Sequence, residues 1–119
     1  MSSIILIFIT IILAVTGQVL LKKGMNKIGN ISISQISSNL LKIFTNFYIL
    51  TALLIFIIAF LLWLTILSKF DLSFAYPLVA TGYILIALIS FIFLKENLTI
   101  MRWLGIFLIA IGSYIITRT

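Results

Sequence analysis

The stretch FYILTALLIFIIAFLLWLTIL, residues 47–67, carries no charged side chain and decides the fold class of this protein. A bilayer core about 30 Å thick is crossed by roughly 20 apolar residues in helical conformation. Because this stretch has that length and very few polar groups, it predicts a transmembrane helix. Trp63, near its far end, is typical of an aromatic anchor at the membrane–water boundary.

Three further stretches have the same apolar character, at about residues 4–21, 74–94 and 101–116. The 119-residue chain is 64% hydrophobic and only 8% charged, whereas soluble proteins are roughly 25% charged. We therefore expect an all-α integral membrane protein, a bundle of four transmembrane helices that forms one transmembrane domain over residues 1–119. The first span is longer than the core of a typical signal peptide, so we expect it to be retained.

The most polar part of the chain is the loop over residues 22–46. After Ser32, apolar residues recur at near-helical spacing opposite a face of serine and lysine; they are Ile33, Ile36, Leu40 and Ile43. This pattern indicates either a short amphipathic helix in the membrane interface or a polar extension of the second span.

Acidic residues are absent from all four spans, since Asp71 and Glu96 both lie at the breaks between them. Exporters of cationic drugs need a carboxylate inside the membrane, where ionisable groups are costly and usually functional. The net charge of +6 instead favours an anionic or amphiphilic cargo. The chain has no cysteine or histidine and no nucleophile paired with a base. We therefore expect no enzyme activity, no metal site and no cofactor.

The basic residues are unequally divided between the two sides of the predicted bundle. Six follow spans one and three, namely Lys22, Lys23, Lys27, Lys42, Lys95 and Arg102, and two lie on the other side, Lys69 and Arg118. The positive-inside rule then predicts a cytoplasmic first loop and both termini outside. This orientation accounts for the basic charge without nucleic acid. It also disfavours an antiparallel dimer of identical chains, so alternating access would need a different partner or another mechanism.

Small and polar side chains form stripes on spans one and three. The stripes are Thr10, Ala14, Gly17 and Gln18 on the first, and Tyr76, Ala80, Tyr83, Ala87 and Ser90 on the third. We expect Gln18 to point into the bundle, because an amide facing lipid would lack hydrogen-bond partners. The stripe on the third span fits either helix packing or the lining of a substrate path. Pro77 is expected in the first turn of that span, where its missing N–H costs little.

Glycines are the expected points of close helix contact, because the absence of a side chain lets two backbones approach. The candidates are Gly17 in the first span and the pair Gly105 and Gly112 in the fourth, which share a face.

Several motifs give the chain a family likeness. They are ILAVTGQVLLKKG (12–24), WLTIL (63–67), FAYPLVA (74–80), LKEN (94–97) and RWLGIFLIAIG (102–112). With these the chain resembles the small four-helix, EamA-like branch of the drug/metabolite transporter superfamily. Within that branch it is most similar to the subunits that flip 4-amino-4-deoxy-arabinose-phosphoundecaprenol. The related small multidrug-resistance exporters have an essential glutamate in the first span, and Ala14 stands at the corresponding position here. Because alanine cannot bind a cation or a proton, proton-coupled export of cationic drugs is not expected.

The resemblance implies a flippase that moves a polyprenyl-phosphate-linked sugar from the inner to the outer leaflet of the cell inner membrane. It also implies a homodimer, or a heterodimer with a related four-span subunit. The expected substrate-binding residues are Gln18, Lys22, Lys23, Tyr76, Tyr83, Ser90, Lys95, Glu96 and Arg102. Arg102 is the best phosphate ligand by type, because its planar fork binds two oxygens at once.

Glu96 is expected to pair with Lys95, Arg102 or a helix end, or less readily to contact an amino sugar. No nucleotide-binding loop or intramembrane acid is present to couple an energy source. We therefore expect a passive flippase, or one energised by a partner. A small-metabolite exporter of the same superfamily and a non-transporting scaffold subunit remain as alternative functions.

Overall fold

The computed structural model describes residues 2–118, with side-chain environments from Ile4 onward. Its helices are α1 (Ser2–Ile28), α2 (Ile33–Ile36), α3 (Leu40–Thr45), α4 (Phe47–Lys69), α5 (Leu72–Ala80), α6 (Gly82–Ile92) and α7 (Ile100–Thr117). Four stretches are long and apolar enough to cross a membrane, namely Ile4–Ile28, Phe47–Lys69, Leu72–Ile92 and Ile100–Thr117. The predicted fold class, an all-α bundle of four transmembrane helices, is confirmed.

Helix α1 continues beyond Leu21, where the first span is predicted to end, and stops only at Ile28. Gly29 ends it in the left-handed conformation, with a φ of 98°, and its N–H donates to the Met25 carbonyl at 2.8 Å. A glycine in this conformation is a common helix terminator. Lys22 and Lys23 are therefore on a helix and not in a loop.

The polar loop contains a short helical segment that is separate from the second span. Helices α2 and α3 are joined by a 3₁₀ turn, Ser37–Asn39, and the backbone of Asn46 is extended before α4 begins. The Asn46 side-chain oxygen accepts the N–H groups of Tyr48 and Ile49 at 2.9 and 3.3 Å, which caps α4. Its amide group donates to the Gly24 carbonyl at 3.1 Å. Asn46 thus ends the short segment and ties α4 to α1.

Helices α1 and α4 pack closely, and buried glycines on α1 mark the contact. A methyl group added at Gly17 would lie 2.8 Å from a ring carbon of Phe56, and one at Gly24 would lie 2.6 Å from Ile49. At the Gly105 position, by contrast, an added methyl group would have no atom within 4 Å, and the same holds at Gly112 among the described residues. The predicted contact of α7 through these two glycines is not made within the chain, and it stays a prediction for a second subunit.

The third span is interrupted at Thr81, between α5 and α6. Pro77 lies beyond the first turn of α5, because that helix begins at Leu72, so the expected position of the proline is wrong. The Thr81 N–H donates to the Leu78 carbonyl, 3.1 Å away, which tightens the last turn. The Pro77 carbonyl accepts a hydrogen bond from the hydroxyl of Ser113 on α7, with 3.4 Å between the two oxygens. A broken helix is tolerated in a membrane where neighbouring side chains satisfy the freed backbone groups.

Candidate binding groove

A groove runs along one side of the bundle between α1, α5 and α6 and ends beside the first turn of α7. It consists of three connected depressions of about 500, 460 and 170 Å³, and Tyr83 and Ile86 line all three. The groove opens sideways, since Tyr76 and Tyr83 expose 64% and 52% of their surfaces. In a bilayer this open side faces lipid or another subunit.

The largest depression is mostly apolar, with a few polar groups. Its polar side chains include Gln18 of α1 and the two tyrosines of the third span, Tyr76 and Tyr83. The ring of Tyr76 packs edge-on against that of Trp63, with centroids 6.0 Å apart and an interplanar angle of 74°. The indole of Trp63 thus braces Tyr76 at the end of the groove that lies farthest from α7's first turn.

Gln18 lies exposed on the groove wall, so the prediction that it points into the bundle is wrong. The cause is the contact of the preceding residue, Gly17, with Phe56 of α4. Successive residues of a helix are rotated by about 100°. With Gly17 directed at α4, Gln18 is turned towards α6 and reaches the open side of the groove.

The stripe of the third span lies entirely along this groove. Its members Tyr76, Ala80 and Tyr83 line the largest depression, and Ala87 and Ser90 line the smallest. Ala87 and Ser90 are buried, and the two tyrosines are exposed. The stripe therefore serves both of the expected roles. At Ala87 and Ser90 it is packed against the rest of the bundle, and at Tyr76 and Tyr83 it forms the open wall of the groove.

The mouth of the groove carries charge of both signs. Lys22, Ser90 and Glu96 line the middle depression, and Arg102 joins Ser90 and Glu96 in the smallest. The Lys22 Nζ lies 3.9 Å from the Glu96 Oε2. The prediction that Glu96 pairs with Lys95 or Arg102 is therefore wrong, because its ion pair is with Lys22.

The turn before α7 explains this choice of partner. Lys95 adopts the left-handed conformation, with a φ of 58°, and reverses the chain after α6. The Glu96 N–H then donates to the Ser90 carbonyl at 2.9 Å, which returns Glu96 to the groove beside α1. A non-glycine residue with this backbone angle is uncommon, and sequence periodicity gives no signal for it.

The first turn of α7 is capped by Thr99, which the sequence reasoning missed. The Thr99 hydroxyl accepts the backbone N–H of Arg102 at 3.2 Å. The available signal is a threonine directly before an apolar helical run, which is a common helix start. This cap sets the start of α7 and brings Arg102 to the smallest depression.

The groove brings together seven of the nine residues predicted to bind substrate. They are Gln18, Lys22, Tyr76, Tyr83, Ser90, Glu96 and Arg102. Lys23 and Lys95 are exposed near the mouth but do not line the groove in the described part of the chain.

The sequence did not predict a cation–π contact outside the groove. The Lys27 ammonium group lies 4.7 Å from the ring centre of Tyr48 and links the end of α1 to the start of α4.

Residues 31–118 match the model of the EamA-like transporter family. This chain belongs to that family. The match covers the second, third and fourth spans, which include the lining of the groove from α5, α6 and α7. Gln18 and Lys22 of α1 lie outside the matched residues, so their place in the groove is known from the structure alone.

Curated relatives of this family member include probable 4-amino-4-deoxy-L-arabinose-phosphoundecaprenol flippase subunits ArnE. The subunit of Pseudomonas savastanoi is 36% identical over 58 residues, 49% of this chain and 51% of the relative. That of Hamiltonella defensa is 42% identical over 52 residues, covering 44% and 47%. That of Proteus mirabilis is 34% identical over 68 residues, covering 57% and 60%. The chain thus spans about half the length of the curated relatives it matches. No solved structure matches the chain.

Proposed function

We propose that this EamA-like protein is a flippase subunit that moves a polyprenyl-phosphate-linked sugar from the inner to the outer leaflet. The observation that carries the proposal is a groove with polar groups along its length, open to the side and lined by cations at one mouth. A headgroup can travel along such a groove while its hydrocarbon chain stays in lipid. The names of the ArnE relatives support this class of cargo.

The mouth offers the chemistry that a lipid phosphate needs. A phosphate leaves water only where charge or hydrogen-bond donors replace its hydration. Lys22 and Arg102 reach the same end of the groove from α1 and α7. Arg102 would bind two phosphate oxygens through its planar guanidinium, and Lys22 would act as a point charge.

Beyond the mouth, hydroxyl and amide groups follow one another along the path. Ser90 lies nearest the mouth, Tyr83 and Gln18 lie in the middle, and Tyr76 lies at the far end. Each can exchange hydrogen bonds with the hydroxyls of a sugar. Their spacing supports stepwise movement of a headgroup without a single tight site.

The sideways opening favours a lipid-linked cargo over a small soluble metabolite. Soluble ligands usually bind in pockets that bury most of their surface, and Tyr76 and Tyr83 are too exposed in the single chain to form one. A scaffold subunit, in turn, has no need for cations at the mouth of a polar groove.

The working unit is proposed to be a dimer, with a second four-span subunit that covers part of the open surface. Gly105 and Gly112 on α7 have no neighbour within 4 Å of an added methyl group. Glycines with open space beside them allow close contact with a helix of another chain. The positive-inside rule supports an orientation with the groove mouth, Lys22 and Arg102 in the cytoplasm and both termini outside.

The test is translocation in vesicles with no ion gradient and no nucleotide. The purified protein, alone or with its four-span partner, is reconstituted with a fluorescent polyprenyl-phosphate sugar, and an impermeant quencher reports the outer-leaflet fraction. We expect equilibration between leaflets that is faster than in protein-free vesicles. Equal rates in the two preparations, with the partner present, would refute the passive flippase.

A further inference from the structure

Glu96 occupies an unexpected place for one of only two acidic residues in the chain. It lies at the mouth of the groove between two cations, Lys22 on α1 and Arg102 on α7. A carboxylate repels a phosphate, so its presence weakens the binding of any anionic headgroup there. The position therefore needs a reason beyond phosphate binding.

The backbone holds Glu96 at this position. Its N–H is bonded to the Ser90 carbonyl at 2.9 Å, and the preceding Lys95 adopts the left-handed turn that brings the chain back. Its carboxylate oxygen lies 3.9 Å from the Lys22 Nζ, with 53% of the Lys22 side chain and 38% of the Glu96 side chain exposed. The ion pair joins α1 to the turn between α6 and α7 across the groove mouth.

The open side of the groove creates a problem of selectivity. Anionic phospholipids are abundant in the cytoplasmic leaflet, which is the side where the positive-inside rule places Lys22. An unpaired Lys22 would bind any of them, whereas a polyprenyl-phosphate sugar is a minor lipid. A flippase with such a mouth would be occupied by ordinary phospholipid for much of the time.

We propose that Glu96 pairs with Lys22 in the empty groove and so competes with lipid phosphates for Lys22, which lowers the affinity of the mouth for bulk phospholipids. A headgroup that makes further hydrogen bonds with Tyr83 or Gln18 still displaces Glu96, because those contacts offset the loss of the ion pair. A phospholipid that reaches only the mouth binds more weakly than it would to an unpaired Lys22. The benefit to transport rests on the proposed function, but the competition itself does not.

The size of the effect follows from the exposure of the pair. Exposed ion pairs contribute little, and the measured range corresponds to about a 1.4- to five-fold change in an equilibrium constant. A factor of this size changes the occupancy of the mouth by phospholipid most where the mouth is only partly occupied.

The experiment measures the association of spin-labelled phosphatidylglycerol with the full chain in phosphatidylcholine vesicles, by electron paramagnetic resonance. We expect Glu96→Gln to raise the association about 1.4- to five-fold. Asp71→Asn is the matched control, because it removes the other acidic charge of the chain at the opposite end of the bundle. It should leave the association unchanged. The double variant Lys22→Gln with Glu96→Gln should show a smaller gain over Lys22→Gln alone than Glu96→Gln shows over the unchanged protein, because only the direct repulsion by the carboxylate is then removed.

Three results would overturn the proposal: no gain in Glu96→Gln, an equal gain in Asp71→Asn, or a gain that is as large without Lys22 as with it. Circular dichroism and size-exclusion chromatography confirm that each variant is folded. The vesicles contain no sugar lipid, so the result is independent of the flippase assay. Failure of the wild-type protein to translocate a polyprenyl-phosphate sugar would remove the proposed function and leave the competition by Glu96 standing.

Discussion

The hydroxyl of Ser113 on α7 donates a hydrogen bond to the carbonyl oxygen of Pro77 on α5, 3.4 Å away. Ser113 is buried, and the bond joins the interrupted third span to the fourth. It supplies a partner for a carbonyl that lies just before the break at Thr81, where the regular pattern of the helix stops. In lipid, no water is present to replace that partner.

Ser113→Ala should therefore destabilise the bundle. Hydrogen bonds between membrane helices contribute about 0.6 kcal/mol on average and at most about 1.7 kcal/mol, and we expect a loss in this range. Unfolding by a denaturing detergent, followed by circular dichroism, gives the free energy. The control is Ser68→Ala, whose exposed hydroxyl bonds only within its own helix, to the Thr65 carbonyl. Equal losses in the two variants would show that the bond to Pro77 contributes nothing.

Gly17→Ala should destabilise the contact between α1 and α4. The added methyl group would lie 2.8 Å from the ring of Phe56, so the ring must move, and overpacking of this kind typically costs about 1–3 kcal/mol. The same denaturation assay measures the loss. Gly105→Ala, compared in the monomeric chain in detergent, is the control, because its methyl group meets no atom of its own chain within 4 Å. Adding Phe56→Leu to Gly17→Ala should recover part of the loss, and a failure to do so would count against the contact as the cause.

Gly112→Leu should weaken association between subunits and leave the fold of the single chain intact. The position is exposed in the chain and has open space around it, so a larger side chain obstructs only an external partner. Resonance energy transfer between labelled subunits in vesicles measures the association. Phe107→Ala, exposed on a different face of the same helix, is the control and should leave the energy transfer unchanged. Unchanged energy transfer in Gly112→Leu would contradict a subunit contact at this glycine.

Substitution of the groove cations should reduce transport more than substitution of the neighbouring cations. Arg102→Gln and Lys22→Gln each remove a charged donor from the mouth, and hydrogen bonds to charged groups correspond to about a ten-fold effect or more. Lys23→Gln and Lys95→Gln remove the same charge outside the groove and should retain most of the activity. Initial translocation rates in vesicles, measured for all four variants, test whether the two groove substitutions reduce transport more than the two outside it. Equal losses in all four variants would indicate a general effect of charge.

The orientation can be tested with single cysteines, because the chain has none of its own. Ser73→Cys lies in the first turn of α5, at the start of the third span, and Ser38→Cys lies in the long loop; both positions are exposed. An impermeant maleimide should label Ser73→Cys in intact cells and Ser38→Cys only after the membrane is opened. The reverse pattern would place the groove mouth on the outer side.

Some features of the groove could be predicted from the sequence of this protein, and others could not. The stripe from Tyr76 to Ser90 was predicted from helical spacing, which keeps the residues of one face together, and its members still line the groove on both sides of the interruption at Thr81. The side to which Gln18 points was predicted wrongly, because it depends on which neighbour packs against Gly17. The partner of Glu96 was also predicted wrongly, since Lys22 lies 74 positions away in the chain and meets it only through the turn at Lys95.

The sequence by itself determined the number of spans, the fold class and the unequal distribution of basic charge. These follow from local composition, because the cost of placing charged or polar groups in hydrocarbon is set residue by residue. Only the tertiary structure decided that Lys22, Glu96 and Arg102 meet at one mouth, and that Ser113 reaches Pro77. Those contacts join residues on different helices, and their geometry depends on helix rotation and on a single left-handed turn that composition does not encode.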